Sequence, residues 1–153
     1  MTDVHSPEVR SRNMRSIRSA NTKPEIFVRK ALHAAGLRYR LGGGGLPGRP
    51  DIVLPRYRTA IFVHGCFWHG HDCKYFKLPH TRRDFWQNKI GANQQRDQTV
   101  SGLLLELGWS VIVIWECATR PGGMTPGAIA EKVRSLLGDN LRQPGHHELQ
   151  ITP

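Results

Sequence analysis

Two apolar runs in this chain each end within two residues of a cysteine. "TAIFVHG" (59–65) is followed by Cys66, and "WSVIVIW" (109–115) is followed after Glu116 by Cys117. The chain has only three cysteines, and the third, Cys73, lies 44 residues before Cys117. With His71, Cys66 and Cys73 form C-x4-H-x-C. Zinc takes four tetrahedral ligands from thiolate and imidazole. If the two runs are parallel neighbouring strands, Cys66 and Cys117 leave the sheet at the same edge. A Cys3His site is then natural there, and it staples the loop after the first strand to the core. Such a site is closed to water and therefore structural. Both His69 and His71 have the reach to be the fourth ligand. Choosing His71 leaves His64 and His69 without a role in zinc binding. The bland alternative is three ordinary buried thiols.

The rest of the chain agrees with one α/β domain. Its 153 residues suit a single compact unit that buries a core without disulfides. An odd cysteine number argues against a disulfide framework. No apolar run approaches the ~18 residues of a membrane span, and the N-terminus lacks a secretory h-region. A cytoplasmic protein without membrane contact is expected. The net charge of +10 and pI near 10.3 attract polyanions, nucleic acid foremost.

Residues 1–20 read as a DNA-binding arm or short basic helix, with Met14 and Ile17 between Arg10, Arg12, Arg15 and Arg18. "TKPEIFVRKALHAAG" (22–36) reads as a helix capped by Thr22, with Pro24 in its first turn, Glu25 completing a capping box and Gly36 ending it. "GGGGLPGRP" (42–50) is a loop rich in breakers. "DIVLP" and "TAIFVHG" read as a hairpin. A longer helix is expected within 81–107, capped by Thr81, with Leu103, Leu104 and Leu107 on its apolar face. The 109–115 run reads as a central buried strand. A last helix fits 126–137, stopped by Gly138. The folded domain is placed at 21–138, and 139–153 reads as a loosely ordered tail. Strands alternating with helices indicate a small central mixed sheet flanked by helices.

"GRPDIVL" sets Asp51 at the start of a strand. Many metal-dependent nucleases place an aspartate this way after proline, where it holds Mg2+ against the scissile phosphate. In those enzymes an acidic residue, any residue and a lysine follow about ten positions on. Here Val63 and His64 stand in that region. The alternative is that Asp51 caps a turn. Phe67 and Trp68 lie in a polar loop, where large rings are costly to expose. They read either as packed beneath the loop or as wedges for a base stack. Trp115 reads as core.

The motifs "DVHSPEVRSRNMRSI", "LPGRPDIV", "IFVHGCFWHGHDC", "TRRDFWQNKIGANQQRD" and "LGWSVIVIWEC" carry a resemblance, across residues 3–137, to the very-short-patch repair endonucleases. That family nicks DNA at T·G mismatches. The resemblance implies a restriction-endonuclease-like fold of the PD-(D/E)XK type. It implies structural zinc on Cys66, His71, Cys73 and Cys117. It implies Asp51 and the Val63 carbonyl as ligands of catalytic Mg2+, with a second ion expected. His69 matches the catalytic histidine. Glu25, His64 and Asp97 match polar groups that support the metal and its waters. Phe67, Trp68 and Trp86 resemble a major-groove aromatic wedge, and the arm with Met14, Arg15 and Ile17 resembles its minor-groove counterpart. The implied substrate is duplex DNA in which 5-methylcytosine deamination has left T opposite G. The implied reaction is a nick 5′ to that thymine by a monomer, linked to a cytosine-5 methyltransferase and to downstream repair proteins. Gly70 and Asp72 depart from relatives with further histidines there, and the Gly42–Gly45 run is particular to this chain. Two other classes fit the residues less fully. One is a zinc-stapled mismatch- or DNA-binding module without catalysis. The other is a zinc hydrolase with an open metal position.

Overall fold

In the computed structural model the two cysteine-tipped runs are parallel neighbours. Strand β2 (Thr59–His64) pairs with β3 (Ser110–Trp115) in a register that sets His64 opposite Trp115. The structure describes Ser6, Glu8, residues 20–142 and residues 148–153. Met14, Arg15, Ile17 and the rest of the expected arm lie outside the described residues.

β1 (Ile52–Leu54) pairs antiparallel with β2 through a short 3-10 turn at Pro55–Tyr57, the expected hairpin. β4 (Glu148–Ile151) pairs parallel with β3, which completes a four-stranded mixed sheet in the order β1-β2-β3-β4. Within the stretch 139–153 expected as a loosely ordered tail, residues 148–151 are instead this strand. Four residues with only Leu149 and Ile151 apolar give little strand signal. The segment orders because Ile151 is buried in the core, and because Gln150 accepts a hydrogen bond from Trp115 Nε1 at 3.0 Å.

Residue alternation along the strands builds two cores. Ile52, Leu54, Ile61, Ile112 and Ile114 face one side, with Val28 and Leu32 of helix α1 (Lys23–Ala34) packed there. Ala60, Phe62, Val111, Val113 and Trp115 face the other, against Leu104 of the long helix α2 (Arg83–Glu106). The short helix α3 (Glu116–Thr119) follows β3, and α4 (Pro126–Arg142) adds Ile129, Val133 and Leu137 to the first core.

Local signals set some boundaries and missed others. Thr22 caps α1 as expected, its hydroxyl accepting from Glu25 N. The Glu25 carboxylate accepts from Asn21 N at 2.9 Å, one residue earlier than a standard capping box would have it. α2 starts at Arg83 behind Arg82 in a left-handed conformation (φ 54), so Thr81 does not cap it. Leu104 is fully buried, but Leu103 and Leu107 are 44% and 52% exposed. α4 runs through Gly138 to Arg142, because a glycine costs a helix interior only about 1 kcal/mol and the buried Leu137 holds that turn down. Among the described residues, no helix is long and apolar enough to cross a membrane.

Candidate active site and metal clasp

The C-terminal end of β2 gathers polar groups from both layers. Parallel strand ends are where open α/β sheets place ligands. Because side chains alternate, Val63 turns toward the α1 layer and His64 toward α2. Asp51 precedes β1 and lies across from the end of β2. Its Oδ2 accepts a hydrogen bond from Val63 N at 2.7 Å. Asp51 is thus fixed by the strand beside it and does not merely cap a turn. Glu25 comes in from α1, buried and bonded by Arg29 at 3.1 Å. Asp97 comes in from α2. These groups line a cleft of about 750 Å3 together with His64 and His69.

Burial of Asp51 raises its carboxyl from the ordinary 3.8 to about 6. The Val63 N–H works against that rise, the Glu25 carboxylate adds to it, and Arg29 and His69 oppose it. Asp51 and Glu25 lie near enough for the Glu25 carboxylate to raise Asp51, and the nearby Arg29 is held by Glu25. That is the electrostatic profile of a cation site.

Across the cleft, His69 Nδ1 lies 2.5 Å from Asp97 Oδ2. The His64 ring stacks on His69 at 3.9 Å with planes 2° apart, and His64 Nε2 is 3.9 Å from Asp97 Oδ1. Burial, helped by neighbouring His69, lowers His64 to about 4 against the pull of Asp97, so its ring is neutral at pH 7. The stack therefore does not set two positive rings face to face.

The loop that carries His69 is pinned from α2. Asn93 Nδ2 donates to Trp68 O at 2.9 Å, and Gln94 Nε2 donates to His69 O at 3.1 Å. Phe67 and Trp68 are half-buried, so neither of the two alternatives holds alone. Each packs against Trp86 of α2, with centroids 5.4 and 5.9 Å away. The rings form a supported ridge beside the cleft rather than a buried plug.

Cys66, His71, Cys73 and Cys117 come together at the shared ends of β2 and β3, their ligand atoms all within 4.8 Å of one another. His71 Nδ1 is 3.6 Å from both Cys66 Sγ and Cys117 Sγ. It is therefore His71 that joins the thiols, while His69 belongs to the cleft. The His71 ring lies flat on Trp115 at 4.1 Å, giving that core residue a second task. Burial pushes the Cys66 thiol up to about 12 and raises Cys117 as well. Without a cation these thiols stay protonated.

Sequence reasoning missed Asn93, Gln94 and Glu116. Glu116 lines the cleft, its Oε2 accepts from Cys66 N at 3.3 Å, and its Oε1 pairs with Arg120 at 2.7 Å. The signal was its place between the β3 run and Cys117, which ties it to both the cleft and the clasp. Asn93 and Gln94 sit in a polar helical stretch where nothing local marks them out.

The family model described as DNA mismatch endonuclease Vsr matches residues 2–75. A relative from Escherichia coli (strain K12), DNA mismatch endonuclease Vsr, is 49% identical over 138 residues, which is 90% of this chain and 88% of that protein. The type II nicking enzyme V.XorIIP of Xanthomonas oryzae pv. oryzae is 47% identical over 137 residues, 90% of this chain and 98% of that protein. The type II nicking enzyme V.NmeAIP of Neisseria meningitidis is 46% identical over 136 residues, 89% and 97% of the two chains. Each of these relatives bears the name of an endonuclease or nicking enzyme, and that is the class to which this chain belongs. The chain belongs to the Vsr family of DNA mismatch endonucleases.

Proposed function

We propose that the protein is a Mg2+-dependent endonuclease that nicks one strand of duplex DNA 5′ to the thymine of a T·G mismatch. The observation that carries this reading is the convergence of Asp51, Glu25, His64, His69 and Asp97 on one cleft beside an aromatic ridge. A DNA-binding module without catalysis has no need of that arrangement. The scaffold we assign is restriction-endonuclease-like, with Asp51 in the place of the family's Pro-Asp aspartate.

The donor sets fit the two metals. In a tetrahedral site with zinc–sulfur near 2.3 Å and zinc–nitrogen near 2.05 Å, sulfur and nitrogen stand about 3.6 Å apart. Both His71–cysteine distances are 3.6 Å. Four protein ligands would leave no open position, so a zinc held there would be structural, which disfavours the hydrolase alternative. In the cleft, Asp51 and the Val63 carbonyl would supply the hard oxygen donors that Mg2+ takes, and Glu25 and His64 would hold its waters. When bound, the ion offsets charge on the scissile phosphate and on the leaving oxygen.

The proton chemistry belongs to His69. With Nδ1 turned to Asp97, Nε2 is the ring nitrogen left to take the proton of the attacking water. Asp97 fixes the tautomer, and the stacked His64 fixes the ring plane. Asp97→Asn is therefore expected to lower the nicking rate by about 10²- to 10⁴-fold while leaving mismatch affinity within about twofold. A variant that nicks at the wild-type rate would remove His69 from the role of base.

A mismatched step unstacks at lower cost than a paired one, so Phe67, Trp68 and Trp86 select the T·G site energetically. That mismatch arises by deamination of 5-methylcytosine. We accordingly place the protein in the bacterial cytosol as a monomer, working downstream of a cytosine-5 methyltransferase. The test is a nicking assay on labelled duplexes that differ only in T·G versus T·A, across several flanking contexts. A nick 5′ to the mismatched thymine that disappears when magnesium is withheld is the expected result. Tight T·G binding with no cut in any context would favour the binding module.

A further inference from the structure

The glycine-rich loop at 42–50 raises a question that the proposed chemistry leaves open. Arg49 adopts a left-handed backbone (φ 50), unfavourable for a residue with a side chain. It precedes Pro50 and Asp51, lines the cleft, and is exposed. The loop is shaped around it. A Cβ built on Gly43 would stand 2.8 Å from Arg49 Cα, and one built on Gly48 would stand 2.3 Å from a Val100 methyl. The first distance shows that only a residue without a side chain at 43 lets Arg49 come this close. The second presses the loop onto α2 beside Val100, one turn beyond Arg96, which also lines the cleft and is exposed.

These two arginines differ from Arg29, whose guanidinium is held by Glu25 and Asn21. Among the described residues, the guanidinium groups of Arg49 and Arg96 have no hydrogen-bond or ion-pair partner. They stand at a cleft whose other charged members are the carboxylates Glu25, Asp51, Asp97 and Glu116. Planar guanidinium groups left open in this way match the oxygens of a phosphodiester. We propose that Arg49, in a left-handed conformation for which Gly43 leaves the room, works with Arg96 as a phosphate clamp that positions the DNA backbone over Asp51. The proposal rests on the nuclease reading and assigns a reason to the glycine run.

Arg49→Gly deletes the side chain and relieves the backbone, so its fold is retained. Its expected nicking rate at subsaturating T·G duplex is about 10- to 100-fold below wild type. The slope of log binding constant against log salt should become shallower by about 0.9. Arg96→Gln should act in the same direction. Gly43→Ala and Gly42→Ala meet the same backbone penalty, with φ of 79 and 84, but nothing lies within 4 Å of a Cβ at Gly42. Gly43→Ala should therefore lose nicking as Arg49→Gly does, while Gly42→Ala nicks like wild type. Arg49→Gly with wild-type nicking and an unchanged salt slope would overturn the clamp, whatever its melting temperature. If the wild-type protein itself fails to nick T·G duplexes, the nuclease reading falls. The salt slope of Arg49→Gly on the same duplexes then still decides whether Arg49 binds phosphate.

Discussion

Asp51→Asn is expected to abolish nicking and, in magnesium-free buffer at about pH 7.5, to raise the melting temperature. Loss of the carboxylate removes the proposed Mg2+ ligand, so the rate should fall on the order of 10³-fold or more with T·G binding still measurable. The rise in stability follows from linkage. Burial lifts the folded-state value from 3.8 to about 6. Between those values the folded protein holds a proton that the unfolded chain has released, so stability falls as pH rises through that window. Above it the full cost is present. At 1.36 kcal/mol per pH unit it is at most about 3 kcal/mol. Asparagine keeps the shape and an oxygen for the Val63 N–H but carries no charge. Melts in magnesium-free buffer should show the variant ahead by several degrees above about pH 6 and level with wild type below about pH 4. Added Mg2+ should close the gap, because it stabilises only wild type. Retained nicking would remove Asp51 from the chemistry. A wild type that melts higher throughout without Mg2+ would mean that its carboxylate is stabilised by the protein alone.

Cys117→Ser should cost both zinc and stability. Cys117 is buried and shares His71 with Cys66 in the proposed tetrahedron. Structural zinc contributes directly to folding. A loss of about 3–5 kcal/mol is expected, or roughly 10 °C in a domain of this size. Metal analysis should find the variant depleted. His69 lies between the ligands Cys66 and His71, so the cleft should fail with the clasp and nicking should drop. Full zinc occupancy in Cys117→Ser would refute the ligand assignment. Normal occupancy with normal nicking would refute the coupling as well.

The two sites were legible in the sequence to different depths. The clasp was nearly written out, because two apolar runs each lead to a cysteine and parallel neighbouring strands bring both thiols to one sheet edge. The β2–β3 pairing has that form. The choice between His69 and His71 stayed open on spacing, since both lie within reach. Geometry separates them by sending His69 to Asp97 and His71 to the thiols. Glu25 and Asp97 were harder to see. From the residues alone, Glu25 is a capping residue and Asp97 is one polar position on a helix with several others. Only the resemblance singled them out.

Local chemistry by itself determined the start of α1, the hairpin, the buried central strand, and the loop that collects thiol and imidazole ligands. Capping groups, strand periodicity and ligand spacing act over a few residues, so the sequence displays them directly. Tertiary structure alone decided which polar groups meet at the end of β2, why the polar tail becomes strand β4, and why Arg49 sits in a strained turn against Gly43. Those outcomes depend on which layer a strand face turns toward and on how closely two backbones approach. Neither quantity exists until the sheet has formed.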